Sequence, residues 1–128
     1  MPVKIFKLDS DQVKNERQAN SIVKKFLETP GGVLIGTEMA TYYFREKIEN
    51  TAVAAIDSLF ALPDYRVNER VFNLLIRLRA LAGKRFLIQT RNVRNELFDL
   101  ASRGSLLDFY RQELAERRVY GYPPFRLF

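Results

Sequence analysis

The chain has 128 residues, 47% of them apolar and 28% charged, a size and composition that fit one globular domain with a real core and exclude a two-lobed motor. It contains neither cysteine nor histidine, which excludes disulfides, thiolate or imidazole metal sites and Ser-His or Cys-His catalysis. The net charge of +6 is uneven: residues 66–128 carry thirteen Lys/Arg, twelve of them arginine, against six Asp/Glu. An arginine-rich half suits phosphates or acidic partners, because the guanidinium fork pairs in bidentate fashion; a solvated basic surface is the plain alternative.

Val3-Lys-Ile-Phe-Lys-Leu8 alternates apolar and cationic residues and predicts a first strand. Asp9-Ser-Asp11 supplies a turn and a helix N-cap, and Val13, Ile22, Val23, Phe26 and Leu27 predict a helix over 12–28. Pro30-Gly-Gly32 breaks it. Val33-Leu-Ile35, ending at Gly36-Thr37, and Ala52–Ile56, ending at Asp57, read as short buried parallel strands. From Tyr65 to Ala82, Val67, Val71, Leu74, Leu75, Leu78 and Leu81 line one helix face, with Gly83 as its C-cap. Phe86-Leu-Ile88 forms the last strand, and helices are expected near Val93–Ala101 and Leu106–Val119.

Strands alternating with helices predict an α/β domain over residues 1–128, with a parallel sheet of about four strands flanked by helices. No apolar run approaches the ~20 residues of a membrane helix, and the N-terminus lacks the apolar core of a signal peptide. A soluble cytoplasmic protein without a membrane contact is the expectation.

Function in such a sheet collects at the carboxyl ends of the strands, here Asp9, Asp11, Gly36, Thr37, Asp57 and Thr90. The carboxylates could hold magnesium or offer Asp57 as a phospho-acceptor, but that chemistry needs a lysine after a fifth strand, and Lys84 precedes the fourth. The bland reading makes them caps and turn residues. Gly31 to Gly36 has the spacing of a phosphate loop without its lysine, on strand-like residues whose amides belong to a ladder.

Arg66, Arg70 and Arg77 share one face of the Tyr65–Ala82 helix at ~100° per residue, and Arg79, Lys84 and Arg85 add charge at its far end. That stripe is either a phosphate-reading edge or a solvated face. In the last helix and tail, aromatics mix with arginines, a composition that stacks on unpaired bases while holding the backbone. The structural reading instead packs Phe109, Tyr110 and Leu114 on the domain and anchors the tail with Tyr122 and Phe125.

Leu62-Pro-Asp-Tyr-Arg-Val-Asn-Glu-Arg-Val-Phe-Asn-Leu-Leu75 resembles a stretch of the primosomal replication-restart DNA helicase family (primosomal protein N-prime, PriA). Phe86-Leu-Ile-Gln-Thr90, Phe109-Tyr110 with Glu113-Leu114, and Arg117-Arg118 with Gly121-Tyr-Pro-Pro-Phe125 are similar to its downstream segments. Leu34-Ile-Gly-Thr-Glu-Met39 looks like the opening of its motif V, and Leu8-Asp-Ser-Asp11 resembles a turn of the same lobe.

The resemblance implies the second RecA-like lobe of a superfamily 2 helicase, with a helical C-terminal extension. It implies nucleotide-proximal positions at Gly36 and Lys84, and DNA contacts at Thr37, with Arg66, Arg70, Arg77 and Arg79 along the basic edge. The departures imply lost catalysis. Most of motif V is replaced after Met39, and in motif VI the first arginine becomes Leu81 and the second Lys84. Such an arginine contributes about 10³–10⁵ in rate, which leucine cannot supply. The first lobe, with its phosphate loop, and the family's zinc-binding cysteines are missing. The expectation is therefore a degenerate or truncated lobe with no catalytic residue or metal site of its own. It would be no ATPase by itself, using ATP and magnesium only with a first-lobe partner, and would bind single-stranded or forked DNA. A protein-interaction domain derived from that lobe is the alternative.

Overall fold

The computed structural model describes residues 2–11, 13–61, 64–92 and 95–124. The chain divides into two compact units, Met1–Glu46 and Lys47–Phe128.

In the N-terminal unit, strand β1 (Ile5–Leu8) leads through helix α1 (Glu16–Leu27) to strand β2 (Val33–Gly36), which pairs with β1 in parallel, Leu8 opposite Gly36. A 3-10 turn over Glu38–Tyr43 follows. The core gathers Leu8, Val13, Ala19, Val23 and Ala40. Phe26 extends it, meeting Phe6 and Phe44 edge-on with ring centroids 6.0 Å apart in each pair. The predicted cap at Asp9–Asp11 is corrected. Asp9 Oδ1 accepts from the Asp11 amide in a local turn, and Asn15 caps α1 by accepting from Gln18 N at 2.9 Å. Leu27, expected on the packed face, is exposed.

In the C-terminal unit, strand β3 (Ile48–Val53) precedes a 3-10 turn (Ile56–Ala61), helix α2 (Val67–Leu81), strand β4 (Ala82–Ile88), helix α3 (Glu96–Arg103) and helix α4 (Leu106–Tyr120). β3 and β4 pair in parallel, Thr51 opposite Phe86. The core joins Ile56, Val71, Phe72, Leu75, Leu97, Phe98 and Phe109. Phe72 and Phe109 stack face to face at 3.9 Å, which fastens α4 to α2. Buried Thr51 donates to the Leu78 carbonyl at 2.8 Å and ties β3 to α2.

The α/β expectation holds, but the single sheet of about four strands is replaced by two parallel sheets of two strands each. Periodicity specifies a strand's faces, whereas its pairing partner depends on which connection closes over it, and each pair here is bridged through its own helix. The strand expected over Ala52–Ile56 lies at Ile48–Val53 instead. Glu49 and Asn50 in its first half are unpromising strand residues, and Ala55, at φ +53, turns the chain out so that Ile56 enters the core from a helical turn.

Gly83 is not a C-cap. The chain passes from α2 into β4 at Ala82, and a Cβ on Gly83 would stand 3.1 Å from the Ile48 carbonyl oxygen, so glycine there serves the close approach of β3. Phe109 is buried as expected, but Tyr110 and Leu114 are exposed. Val93 and Phe125, assigned to a helix start and the tail anchor, lie outside the described residues.

Candidate functional site

The basic edge begins where α2 begins. Asp64 organises the turn: its carbonyl accepts from Val67 N, and its Oδ1 accepts from Arg66 N at 2.9 Å. Arg66 and Arg70 are exposed on the first turn. Arg66 lies over the Tyr65 ring, 5.3 Å from its centroid, and donates from Nε to Tyr65 Oη at 3.1 Å. Arg70 approaches Asp64 Oδ2 at 3.7 Å, a loose exposed pair that leaves its guanidinium available.

The other end of the stripe is different. Arg77 is half-buried. Arg79 donates from Nε to the Ser102 carbonyl at 3.0 Å and lies 3.1 Å from where a Cβ would stand on Gly104, the left-handed C-cap of α3. Arg79 thus joins the ends of α2 and α3. Of the four predicted arginines, the structure brings Arg66 and Arg70 together, while Arg79 sits about 20 Å along the helix at 1.5 Å per residue.

The two nucleotide-proximal positions fall in different units. Gly36 ends β2, where a Cβ would stand 2.8 Å from both the Leu8 carbonyl oxygen and the Ala40 Cβ, so packing alone demands glycine. Thr37, exposed, caps the following turn without a side-chain hydrogen bond; its amide donates to Leu8 O at 3.3 Å. Lys84 lies on β4, its Nζ 3.3 Å from Glu49 Oε1 on β3.

The Val33 and Thr37 amides donate to the carbonyls of Lys4 and Leu8, Lys84 forms an exposed ion pair with Glu49, and among the described residues no group of three or more Asp/Glu is placed to hold one metal ion.

At the carboxyl ends of β3 and β4, Asp57 acts as a clasp. Thr90 Oγ1 donates to its Oδ1 at 2.6 Å and the Arg91 amide to its Oδ2 at 2.8 Å. The Thr90 hydrogen bond, then the Arg91 amide, hold the Asp57 carboxyl below its ordinary value. Both oxygens are engaged and the basicity is reduced, which suits a turn residue better than a phospho-acceptor.

Pairing that no local pattern announces lies between α2 and α4. Arg117 donates from Nη2 to Glu69 Oε2 at 2.7 Å and from Nε to Glu113 Oε1 at 3.2 Å. Burial pushes the Glu113 carboxyl above its ordinary value, against the pull of the Arg117 charge. Beside this triad opens a cleft of about 560 Å³, bordered by Tyr65, Tyr120 and Tyr122. The only hint of it in the sequence is the mixture of tyrosines and arginines near the C-terminus.

No family model matches the chain. It is similar to the replication restart protein PriA of Chlamydia muridarum, 30% identical over 129 residues, which covers 96% of this chain and 17% of that protein. It is likewise similar to PriA of Thermotoga maritima (28% over 128 residues, 96% and 17%) and of Bacillus subtilis (26% over 128 residues, 95% and 16%). The chain spans about a sixth of the length of these relatives, and the similarity runs through nearly all of it.

Proposed function

We propose that this chain, related in sequence to a small part of the replication restart protein PriA, is a degenerate helicase second lobe that grips DNA and meets a partner carrying a first lobe, without hydrolysing ATP alone. The observation that carries the reading is the exposed guanidinium pair of Arg66 and Arg70 on the first turn of α2, inside a chain similar to PriA over 96% of its length. Arginines on a helix's first turn add to the positive end of the helix dipole, an arrangement that favours phosphate. Leucine at position 81, where the resemblance implies an arginine, supports the absence of an autonomous ATPase. Single-stranded or forked DNA in the cytoplasm is the setting this reading implies.

A second reading, a protein-interaction domain, is favoured by α4, which exposes Leu107 (73%), Val119 (80%) and Leu114. Salt separates the two. Fluorescence anisotropy of labelled single-stranded and forked DNA is titrated at two salt concentrations. Each phosphate contact on a single strand contributes a slope of about −0.7 in log affinity against log salt. Micromolar, salt-steep binding that Arg70→Ala weakens, with an unchanged melting temperature, supports the DNA reading. Absence of binding at low salt by a folded sample overturns it in favour of the interaction domain.

A further inference from the structure

We propose that the tyrosine cleft between the start of α2 and the end of α4 seats the guanidinium of an arginine supplied by a partner polypeptide, with the rings of Tyr120 and Tyr122 as its face and Glu116 as its counter-charge. The site adjoins the Arg66–Arg70 edge, since Asp64 and Tyr65 border the cleft and also contact those arginines, but its argument does not depend on DNA binding.

The geometry starts from Gly121. Its left-handed φ of +68° ends α4 and folds the chain back, so that the Tyr122 amide donates to the Arg117 carbonyl at 2.7 Å. The Tyr122 ring then lies 5.6 Å from Tyr65 and 5.9 Å from Tyr120, tilted about 30° to each. Glu116 and Tyr120, four residues apart on α4, share one helix face. The result is an aromatic wall with a carboxylate beside it, the arrangement that attracts cations through the ring quadrupole.

Charge decides the occupant. Within a chain of net charge +6, the cleft is bordered by three carboxylates, Asp64, Glu113 and Glu116, against the single guanidinium of Arg117. Arg117 is taken by Glu69 and Glu113, and Asp64 faces Arg70. Glu116 has no ion-pair partner among the described residues, and its charge adds to the upward push on Glu113, so an entering cation relieves a like-charge conflict. A nucleotide would bring phosphate charge toward these carboxylates. Arginine suits the wall better than lysine because its planar head stacks and is more weakly hydrated. Tyr65 already displays the contact, with the guanidinium carbons of Arg66 and Arg117 each 5.3 Å from its ring centroid.

The test uses the full chain with ring-labelled tyrosine, whose six residues give few enough NMR signals to assign. Acetyl-arginine amide is titrated in, with acetyl-lysine amide and thymidine monophosphate as parallel probes. The arginine probe is expected to shift Tyr65, Tyr120 and Tyr122 saturably, ahead of the lysine probe. Glu116→Gln and Tyr120→Ala, both at exposed side chains, should each weaken it by about 2- to 5-fold, the range of an exposed cation–π or charge contact. Three results overturn the proposal: no saturable shift, equal affinity in both variants, or the same three rings moved by the nucleotide and not by arginine.

Discussion

Arg117 Nη2 lies 2.7 Å from Glu69 Oε2 although 48 positions separate the two residues. The Arg117 side chain is only 13% exposed, and its guanidinium also reaches Glu113, whose side chain is 6% exposed. A charge so enclosed is costly to leave alone, because desolvation has already been incurred on folding.

Arg117→Ala therefore strands Glu113 and is expected to destabilise the C-terminal unit by about 2–3 kcal/mol. That is somewhat under the 3–5 of a fully enclosed pair, because Glu69 keeps partial contact with water. Urea unfolding checks it, and a loss below 1 kcal/mol would show that the pair is effectively solvated.

Burial, reinforced by the Glu116 charge and opposed by Arg117, holds the Glu113 carboxyl above the ordinary glutamate value. The native state then keeps a proton that the unfolded chain has already released. Stability from this group is full below the ordinary value and declines as pH rises through the elevated one. No histidine titrates in that window. Glu113→Gln should flatten the profile of urea midpoints as pH rises above the ordinary glutamate value of about 4.3. Parallel profiles for the two proteins would refute this.

The 2.6 Å hydrogen bond from Thr90 is the main cause of the lowered Asp57 value. In Thr90→Val the carboxyl should climb back toward the ordinary aspartate range while the Arg91 amide still holds its other oxygen. Carbon-13 titration of the Asp57 carboxyl reads the change directly. Because the wild-type value is depressed, stability from this group is present above the ordinary value and is lost as pH falls through the lowered one.

Gly36→Ala places a methyl 2.8 Å from the Leu8 carbonyl and from Ala40. Backbone on one side and a buried methyl on the other leave little room to yield, so a loss of roughly 1–3 kcal/mol in the N-terminal unit is expected. Thermal unfolding measures it. An unaltered transition would return Gly36 to consideration as a ligand-facing glycine.

The elements that could be read from the sequence were those with one strong, uninterrupted face. Val71, Leu74 and Leu75 repeat at helical spacing and are all buried on α2. The α4 pattern was harder because Phe109 and Glu113, not Phe109 and Leu114, point inward, and a glutamate looks like surface until its arginine is known. The cap was read at Asp9–Asp11 and not at Asn15, since all three residues carry a similar short acceptor and only the helix start decides among them.

At the candidate site, the exposure of Arg66 and Arg70 followed from their spacing, while Arg79's bond to Ser102 rests on the end of α3, 23 positions downstream. Sheet pairing was illegible for the same reason. Short apolar strands look alike in isolation, and partner choice is a property of connections.

The junction at Ala82 has a mechanical consequence. α2 ends at Leu81 and β4 starts at the next residue, with no loop between them. The direction in which β4 leaves is thereby set by the last turn of α2, with no intervening residues to absorb a change in the helix axis. An insertion placed there would disturb helix and strand together, whereas one in the turn around Gly31, φ +74 with open space about it, would meet far less resistance.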